Sequence, residues 1–297
     1  VTRGDEVITT PNSFIASTAA IVHIGATPVF ADVLDDQNID PRKIEKVITK
    51  NTKAIMPVHL TGRMAKMDKI KKIAKKHRIK IIEDAAQSIG SKYLNKLSGT
   101  WGDVGCFSAH PLKNLNACGD GGFLITNDKK IYEKVKLMRN HGIVGRAKVN
   151  QFGYVSRMDS IQAAILNFRL AKLKKVINAR RLNAKLYLRY LNQKNVFIPK
   201  EEKNEYNTYH TFVIQTPKRD KLKKYLLSKG IETAIHYSIP IHKQPAYLKL
   251  KFKKKKFKVA EAQSKKILTL PINQSLNKKH IKHIAETVNK FFNDSRN

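Results

Sequence analysis

Lys113 stands in a sequence context that no other lysine of this chain shares. An apolar strand pattern ends at Ser108 and His110, and Pro111 then breaks it. Lys113 follows in the turn, ahead of the Gly-rich bend 119–122. A lysine in such a turn is held in place, unlike a lysine on a solvated helix face. A fixed amine that can lose its proton can form a Schiff base with an aldehyde, so the pattern favours covalent amine chemistry at Lys113.

Asp84 ends a second apolar run and leads into Ala85, Ala86 and Gln87. In an open parallel sheet, ligands bind beyond the carboxyl ends of the strands, where Asp84 is expected to lie. A carboxylate there suits pyridoxal phosphate (PLP), an aldehyde whose pyridine nitrogen must stay protonated to accept electrons. The alternative is that Asp84 only caps the following helix. Together with Lys113, the cofactor role is favoured.

Other side chains in the same part of the sequence could complete a PLP site. Ser108 could donate to the phosphate, Phe14 could stack on the ring, and Gln87 could reach the ring substituents. Phe14 could equally be a core aromatic, and Gln87 could be solvated. His59 also ends a strand pattern and is a further candidate.

The order of the elements favours an α/β fold. Helical patterns at 15–22 and 67–77 alternate with short apolar runs, which predicts βαβ units and a mostly parallel sheet covered on both faces. The strands are predicted at 6–9, 28–33, 54–58, 79–83, 104–108 and 122–126.

From about Ser156 the pattern changes, and a long helical stretch begins at Ile161 and runs towards Tyr190. A smaller α/β region follows, with strands predicted at 211–214 and 230–234, a helix at 222–229 and a closing amphipathic helix through Phe291. We therefore predict a large domain over residues 1–175 and a small C-terminal domain over 176–297. A chain of 297 residues is long enough for two cores.

The formal charge of +35 raises the question of nucleic-acid binding. The lysines are spread along the chain, at 69–76, 221–224 and 253–256 for example, which favours solvated surfaces and no nucleic-acid partner. No apolar run approaches the ~20 residues of a membrane span. Cys106 and Cys118 lack metal-ligand spacing, so we expect no metal site, no disulfide and a cytoplasmic location.

The chain resembles the nucleotide-sugar aminotransferases of the DegT family, which are PLP enzymes with the type I aminotransferase fold. The resemblance extends over nearly the whole chain and is strongest from Phe107 to Leu115 with Gly119 to Gly122. Further matching segments are 4–8, 25–33, 57–62, 83–90, 156–164, His236-Tyr237, His242, Gln244 and Pro245.

The resemblance implies that Lys113 binds the cofactor covalently and then acts as the acid–base group. It also implies that Asp84 pairs with the pyridinium, Gln87 contacts the cofactor, Ser108 holds phosphate and Phe14 stacks on the ring. A related dehydratase branch has His in place of this lysine, so Lys113 indicates amino transfer.

The resemblance further implies transfer of an amino group, from glutamate by analogy, to a keto group on a dTDP-, UDP- or GDP-linked hexose for surface polysaccharide or amino-sugar synthesis. It implies a homodimer with shared active sites, with Arg157 and Tyr154 approaching the partner's site. His236, Tyr237 and His242 are candidates for substrate contact, with ordinary packing as the alternative.

Two departures from the family pattern affect the phosphate site. The family has a Gly-Ser/Thr-rich segment upstream of Gly4, and we expect such a segment to be missing here. The family usually has Asn where this chain has Val155. Both departures predict weaker PLP binding by this chain.

Two other functions stay open from the sequence. The first is an enzyme of the same fold acting on another carbonyl compound, such as an inosose or an amino-benzoate precursor. The second is a PLP-binding regulator or nucleic-acid-binding protein that uses the positive charge.

Overall fold

The structure is a computed structural model that describes residues 1–145, 148–250, 252 and 255–294. Its strands are β1 Glu6–Thr9, β2 Thr27–Phe30, β3 Thr52–Ile55, β4 Lys80–Asp84, β5 Lys92–Tyr93, β6 Lys96–Leu97, β7 Val104–Ser108, β8 Gly122–Ile125, β9 Ile143–Val144, β10 Lys148–Val149, β11 Glu205–Tyr206, β12 Phe212–Gln215 and β13 Ile267–Leu270. Its α-helices are α1 Ile15–His23, α2 Pro41–Ile44, α3 Met67–His77, α4 Lys129–Met138, α5 Ser160–Leu170, α6 Leu173–Tyr190, α7 Arg219–Ser228, α8 Pro245–Leu248, α9 Lys258–Ser264 and α10 Lys278–Asp294.

Within the described residues, six strands form the central sheet in the order β2-β1-β3-β4-β7-β8. All neighbouring pairs are parallel except β7 and β8, which are antiparallel. Glu83 of β4 lies beside Gly105 of β7, and Asp84 lies beside Cys106. The predicted α/β fold with a mostly parallel sheet is confirmed, and the strands end where the candidate site residues begin.

The helix α3 has the bounds predicted for it, 67–77, and its buried and exposed residues alternate with the period of a helix. Met67, Ile70 and Ala74 form its buried face, whereas its lysines point to solvent. Arg78 ends the helix in the left-handed region at φ 54°. An amphipathic pattern with period 3.6 thus covers one face of the sheet.

The prediction of one continuous helical stretch from Ile161 towards Tyr190 is wrong at residues 171–172, which separate the end of α5 from the start of α6. Lys172 N–H donates to Arg169 O at 2.9 Å, a bond over three residues that closes the turn. The two helices pack in different places. Leu166 of α5 joins the cluster of Ala109 and Leu115, whereas Ala184 of α6 joins a C-terminal cluster. The apolar periodicity continues across the break because α5 and α6 each bury one face, and each face packs against a different cluster.

The predicted strand at 230–234 is also wrong. The partner of β12 is the antiparallel strand β13, and the segment after α7 contributes only an isolated bridge between Ala234 and Thr269. Gly230 has a φ of 74°, which turns the chain out of α7. The apolar run Ile267–Leu270 is fully buried and therefore takes the strand position.

The buried side chains form several clusters. One consists only of residues from Ala184 to Phe291, and another only of residues from Ile8 to Tyr93. A third joins Phe30 and Val33 to Ile241, so the two parts of the chain are packed together. The domain boundary near residue 175 stays a prediction.

None of the helices in the described part of the chain combines the length and apolar character that a bilayer span requires. Of the lysine run at 253–256, Lys253 and Lys254 lie outside the described residues.

Candidate active site

A cavity of about 650 Å³ opens beyond the carboxyl ends of the central strands. Its walls bring together residues from the whole length of the chain. We refer to it as the Lys113 cavity, and its lining includes Phe14, Ser17, Val58, Asp84, Gln87, Ser108, His110, Lys113, Asp120, Gly121, His210, Thr211, His236 and Tyr237. Of the nine site residues predicted from the sequence, this cavity contains Phe14, Asp84, Gln87, Ser108, Lys113, His236 and Tyr237.

The turn that carries Lys113 is held by backbone hydrogen bonds. Lys113 N–H donates to His110 O at 2.9 Å, and Ala109 N–H donates to Gly121 O at 2.8 Å. The next side chain, Asn114, is buried and donates to Thr208 O at 3.1 Å. These contacts fix the backbone on both sides of Lys113, so its amine has a defined position at the cavity wall.

The amine of Lys113 is easier to deprotonate than that of an exposed lysine. Burial lowers the pKa of Lys113, and the negative charge of Asp84 raises it by less, so the net pKa lies below its ordinary value. A lowered pKa gives a larger fraction of the free amine at neutral pH, which is the nucleophilic form.

Asp84 is oriented by two hydrogen bonds at the end of β4. The Ser17 hydroxyl donates to Oδ2 at 2.5 Å, and Ala86 N–H donates to Oδ1 at 3.1 Å. The carboxylate therefore caps the segment after β4 and also lines the cavity. Capping and a cofactor role are compatible, because a carboxylate has about four lone-pair sites.

Two histidines lie near Lys113. Burial lowers the pKa of His236, and the charge of Lys113 lowers it further. Burial also holds the pKa of His210 well below its ordinary range, and Lys113, Arg180 and His236 add to the effect. Both imidazoles are therefore neutral at pH 7 and can serve as hydrogen-bonding groups without adding charge.

Gln87, Tyr237 and Phe14 form one side of the cavity. Gln87 Oε1 accepts a hydrogen bond from Thr61 N–H at 2.8 Å. Burial raises the pKa of Tyr237 to about 12, Asp84 raises it as well, and a hydrogen bond with Gln87 acts in the opposite direction. The Phe14 and Tyr237 rings are 6.1 Å apart, and Phe14 is 56% exposed. Core packing therefore does not account for Phe14, which presents an open aromatic face.

Ser108 lies at the end of β7, and its hydroxyl accepts a hydrogen bond from His110 N–H at 3.3 Å. The hydroxyl proton is left to donate elsewhere. Ser108 therefore has the capacity to bind an anionic oxygen, the role predicted for it.

The structure does not bring three sequence candidates into this cavity. His59 follows a strand as predicted, but its side chain is fully buried against Glu83 at 2.9 Å and does not line the cavity. His242 lines a separate cavity and hydrogen-bonds Glu261 at 3.1 Å. Arg157 is exposed and donates to Asn140 Oδ1 at 3.3 Å.

Sequence reasoning missed Ser17, His210 and Thr211, all of which line the cavity. Ser17 lies one turn into α1, where a serine gives no signal of its own. His210 and Thr211 immediately precede β12. The signal in the sequence for His210 is a titratable side chain beside a predicted strand, here on the C-terminal side of the chain.

The chain matches the model of the DegT/DnrJ/EryC1/StrS aminotransferase family over residues 1–289. The "Pleiotropic regulatory protein" of Geobacillus stearothermophilus is 41% identical over 97% of this chain and 79% of the relative. The dTDP-3-amino-3,6-dideoxy-alpha-D-galactopyranose transaminase of Aneurinibacillus thermoaerophilus is 39% identical over 97% of this chain and 79% of the relative.

The fold is also that of solved structures. DesV of S. venezuelae, solved in complex with a ketimine intermediate, superposes with a TM-score of 0.94 at 35% sequence identity. The match covers 98% of this chain and 79% of DesV. The predicted type I aminotransferase fold is therefore confirmed. With a family match over nearly its full length and a lysine and an aspartate in one cavity, the chain belongs to the DegT/DnrJ/EryC1/StrS aminotransferase family.

Proposed function

We propose that this aminotransferase uses PLP to move an amino group from glutamate to a keto group of a nucleotide-linked hexose, in amino-sugar or surface polysaccharide synthesis. The observation that carries the proposal is the shared cavity of Lys113, whose pKa is lowered, and the oriented carboxylate of Asp84. The transaminase among the relatives acts on a dTDP-linked sugar by its name, which supports the nucleotide-sugar class.

The residues of the Lys113 cavity fit PLP by the chemistry of their donor set. Lys113 offers an amine for the aldehyde, Asp84 a carboxylate for the ring nitrogen, and Ser108 a hydroxyl for the phosphate. Phe14 offers an exposed aromatic face for the ring. Bound PLP supplies the electron sink that a transamination requires and carries the amino group between the two substrates.

The chain's own residues provide proton transfer and orientation. Lys113 exchanges a proton at its Nζ, because burial lowers the pKa of the amine and so makes the proton easier to remove. The Ser17 hydroxyl and Ala86 N–H hold the Asp84 carboxylate in one orientation. Neutral His210 and His236 avoid adding positive charge beside Lys113, which would lower its pKa further.

A second copy of the chain is part of the proposal. Phe152, Tyr154 and Val155 are 98%, 64% and 67% exposed, and they lie next to Arg157. Large exposed apolar patches are typical of protein interfaces. A homodimer would cover these side chains and place Arg157 near the other copy's cavity. Sedimentation of the purified protein, with Phe152→Asp alongside, tests the dimer.

The test of the function is cofactor attachment followed by amino transfer. PLP is added to the wild type, Lys113→Ala and the exposed control Lys71→Ala, and the complexes are reduced with borohydride before peptide mass analysis. We expect the cofactor's mass on the Lys113 peptide in the wild type and the control. We expect at least about a 10³-fold loss of glutamate-dependent transfer in Lys113→Ala, since covalent and acid–base catalysis are lost together. Attachment at another lysine would contradict the proposal.

The alternative from a different class is a regulatory, non-enzymatic role. The name of the Geobacillus stearothermophilus relative is the observation that supports this alternative. A same-fold enzyme for an inosose or an amino-benzoate precursor is the nearer alternative. Incubating the glutamate-treated protein with each class of keto compound separates them. Return of the cofactor to its aldehyde form with a keto-sugar nucleotide supports the proposal, and return only with another carbonyl compound supports the nearer alternative.

A further inference from the structure

A second cavity, of about 410 Å³, adjoins the Lys113 cavity. His210 and Thr211 line both cavities. Thr269 lines the second cavity, and its hydroxyl lies 2.9 Å from His236 Nδ1, which belongs to the first. We call the second one the Arg180 cavity, after the buried arginine in its wall. A ligand lying across the His210–Thr211 wall would touch both.

Arg180 carries a positive charge on a buried side chain. It is 7% exposed, and one terminal nitrogen donates to the carbonyl oxygens of Tyr209 and His210 at 3.1 Å each. Its Nε has no hydrogen-bond partner, and no carboxylate among the described residues forms an ion pair with it. Burial lowers the pKa of Arg180 to about 10. A buried, uncompensated cation is costly, and an anion beside it would offset that cost.

Three more polar atoms in the wall of the Arg180 cavity are buried and have no hydrogen-bond partner in the described part of the chain. They are His210 Nδ1, Thr211 Oγ1 and Thr233 Oγ1. Buried polar groups in folded proteins are nearly always hydrogen-bonded, so four such atoms around one cavity call for a ligand. Two hydroxyls, a guanidinium and a neutral imidazole are the donors that an oxyanion accepts.

The charges that face this wall are positive or exposed to solvent. Lys113 and Arg180 both act electrostatically on His210. Glu232 also lines the cavity but is an exposed residue, so solvent screens its charge. The local balance therefore favours a negatively charged ligand near Arg180.

We propose that the Arg180 cavity binds the anionic group of a substrate whose reacting carbon lies at Lys113. This inference rests on the proposed function. Two groups have the required chemistry, a carboxylate of glutamate and the diphosphate of the sugar nucleotide. Both present planar or tetrahedral oxygens to a guanidinium and hydroxyls.

Equilibrium binding separates the two sources. Calorimetric titrations use UDP, dTDP and inorganic phosphate with the PLP-treated protein, and glutamate with the cofactor-free protein, in which it is not converted, as separate probes. The variants are Arg180→Gln, Thr233→Val and the control Lys185→Gln, which removes one positive charge from the exposed face of the same helix.

We expect Arg180→Gln to raise the Kd of one class of probe by at least about tenfold, since a charge-assisted hydrogen bond is lost. Thr233→Val is expected to raise it about threefold, and Lys185→Gln less than about twofold. An effect on glutamate assigns the cavity to the amino donor, and an effect on UDP, dTDP or phosphate assigns it to the nucleotide.

Thr233→Val keeps the test decisive if Arg180→Gln fails to fold. Its hydroxyl has no hydrogen-bond partner among the described residues, so an isosteric methyl leaves the melting temperature unchanged or raises it while binding weakens. If Thr233 had only a structural role, weaker probe binding would be accompanied by a lower melting temperature. The proposal is overturned if the wild type binds none of the probes, or if the variants bind them as the wild type does.

Failure of the anion site is distinguishable from failure of the proposed function. The first outcome is that PLP attaches at Lys113 and glutamate-dependent transfer occurs, but the variants bind the probes as the wild type does. That result would contradict only the anion site. The second outcome is that the variants lose probe binding but the wild type shows no amino transfer. That result would support the anion site and contradict the proposed reaction.

Discussion

Glu83 and Asp84 are consecutive residues of one strand, yet the protein uses their carboxylates in opposite ways. Glu83 is fully buried, and each of its oxygens is doubly engaged. Oε1 accepts from Trp101 N–H at 2.6 Å and Gly102 N–H at 2.7 Å, and Oε2 accepts from Gly99 N–H and His59 Nε2, both at 2.9 Å.

Asp84, in contrast, accepts one hydrogen bond on each oxygen and faces the Lys113 cavity. Successive side chains of a strand point to opposite faces, so adjacent residues reach different surroundings. The difference shows how a carboxylate that stabilises the fold can be told from one that is available to a ligand. The first has its lone pairs filled, and the second retains some of them.

The largest expected effect is on stability, from Glu83→Gln. An amide cannot accept from all four donors and leaves buried N–H groups unpaired, so we expect a loss of about 3–5 kcal/mol in the free energy of unfolding. Urea unfolding measures this quantity. A loss similar to that of Asp84→Asn would contradict the comparison.

Asp84→Asn is expected to act on the cofactor instead. Loss of the charge-assisted hydrogen bond to a protonated ring nitrogen, about 1.5–3 kcal/mol, should weaken PLP binding by about 10–100-fold. The unfolding free energy of the cofactor-free protein should change by less than about 1 kcal/mol, because the amide oxygen keeps one of the two contacts. Fluorescence titration with PLP measures the affinity. Unchanged affinity would exclude Asp84 from the cofactor site.

Acid should remove the contribution of Glu83. Burial raises the pKa of Glu83, but the hydrogen bonds of His59, Gly102 and Gly99 outweigh it, so the net pKa lies below its ordinary value of 4.5. A depressed pKa stabilises the fold above the ordinary value and loses that contribution as pH falls through the folded-state pKa. The stability difference between wild type and Glu83→Gln should therefore shrink below about pH 4.5. A difference that is constant from pH 3 to 7 would contradict the assignment.

The smallest expected effect is a gain in stability from Lys113→Met in the cofactor-free protein. The pKa of Lys113 is lowered by burial, so its charged form destabilises the fold at neutral pH. That penalty is relieved as pH rises from the lowered pKa towards 10.5, so the gain should be about 1 kcal/mol or less at pH 7 and smaller at high pH. Melting curves at several pH values, with Lys71→Met as the control, measure it. If Lys113→Met is less stable than the wild type, the buried charge of Lys113 does not destabilise the fold.

Much of the site could be predicted because parallel strands end at the same edge of a sheet. Asp84 and Ser108 follow strands that were readable as apolar runs, and Lys113 follows in a turn marked by Pro111. His59 was misjudged for a related reason. It also follows a strand, but its side chain turns inward to Glu83. The position of a residue at the end of a strand predicts that it lies at that edge of the sheet. The direction of its side chain depends on the groups that it contacts there.

The sequence by itself determined the α/β fold, the parallel sheet and the placement of Lys113 and Asp84, because these follow from local periodicity and from the end of each strand. Only the tertiary structure decided that Ser17 orients Asp84, that His210 joins the site and that His242 lies elsewhere. It also decided that Arg180 is buried and forms no ion pair with any carboxylate of the described residues. Such contacts join residues far apart in the chain, and they depend on how helices and loops pack, which no local pattern encodes.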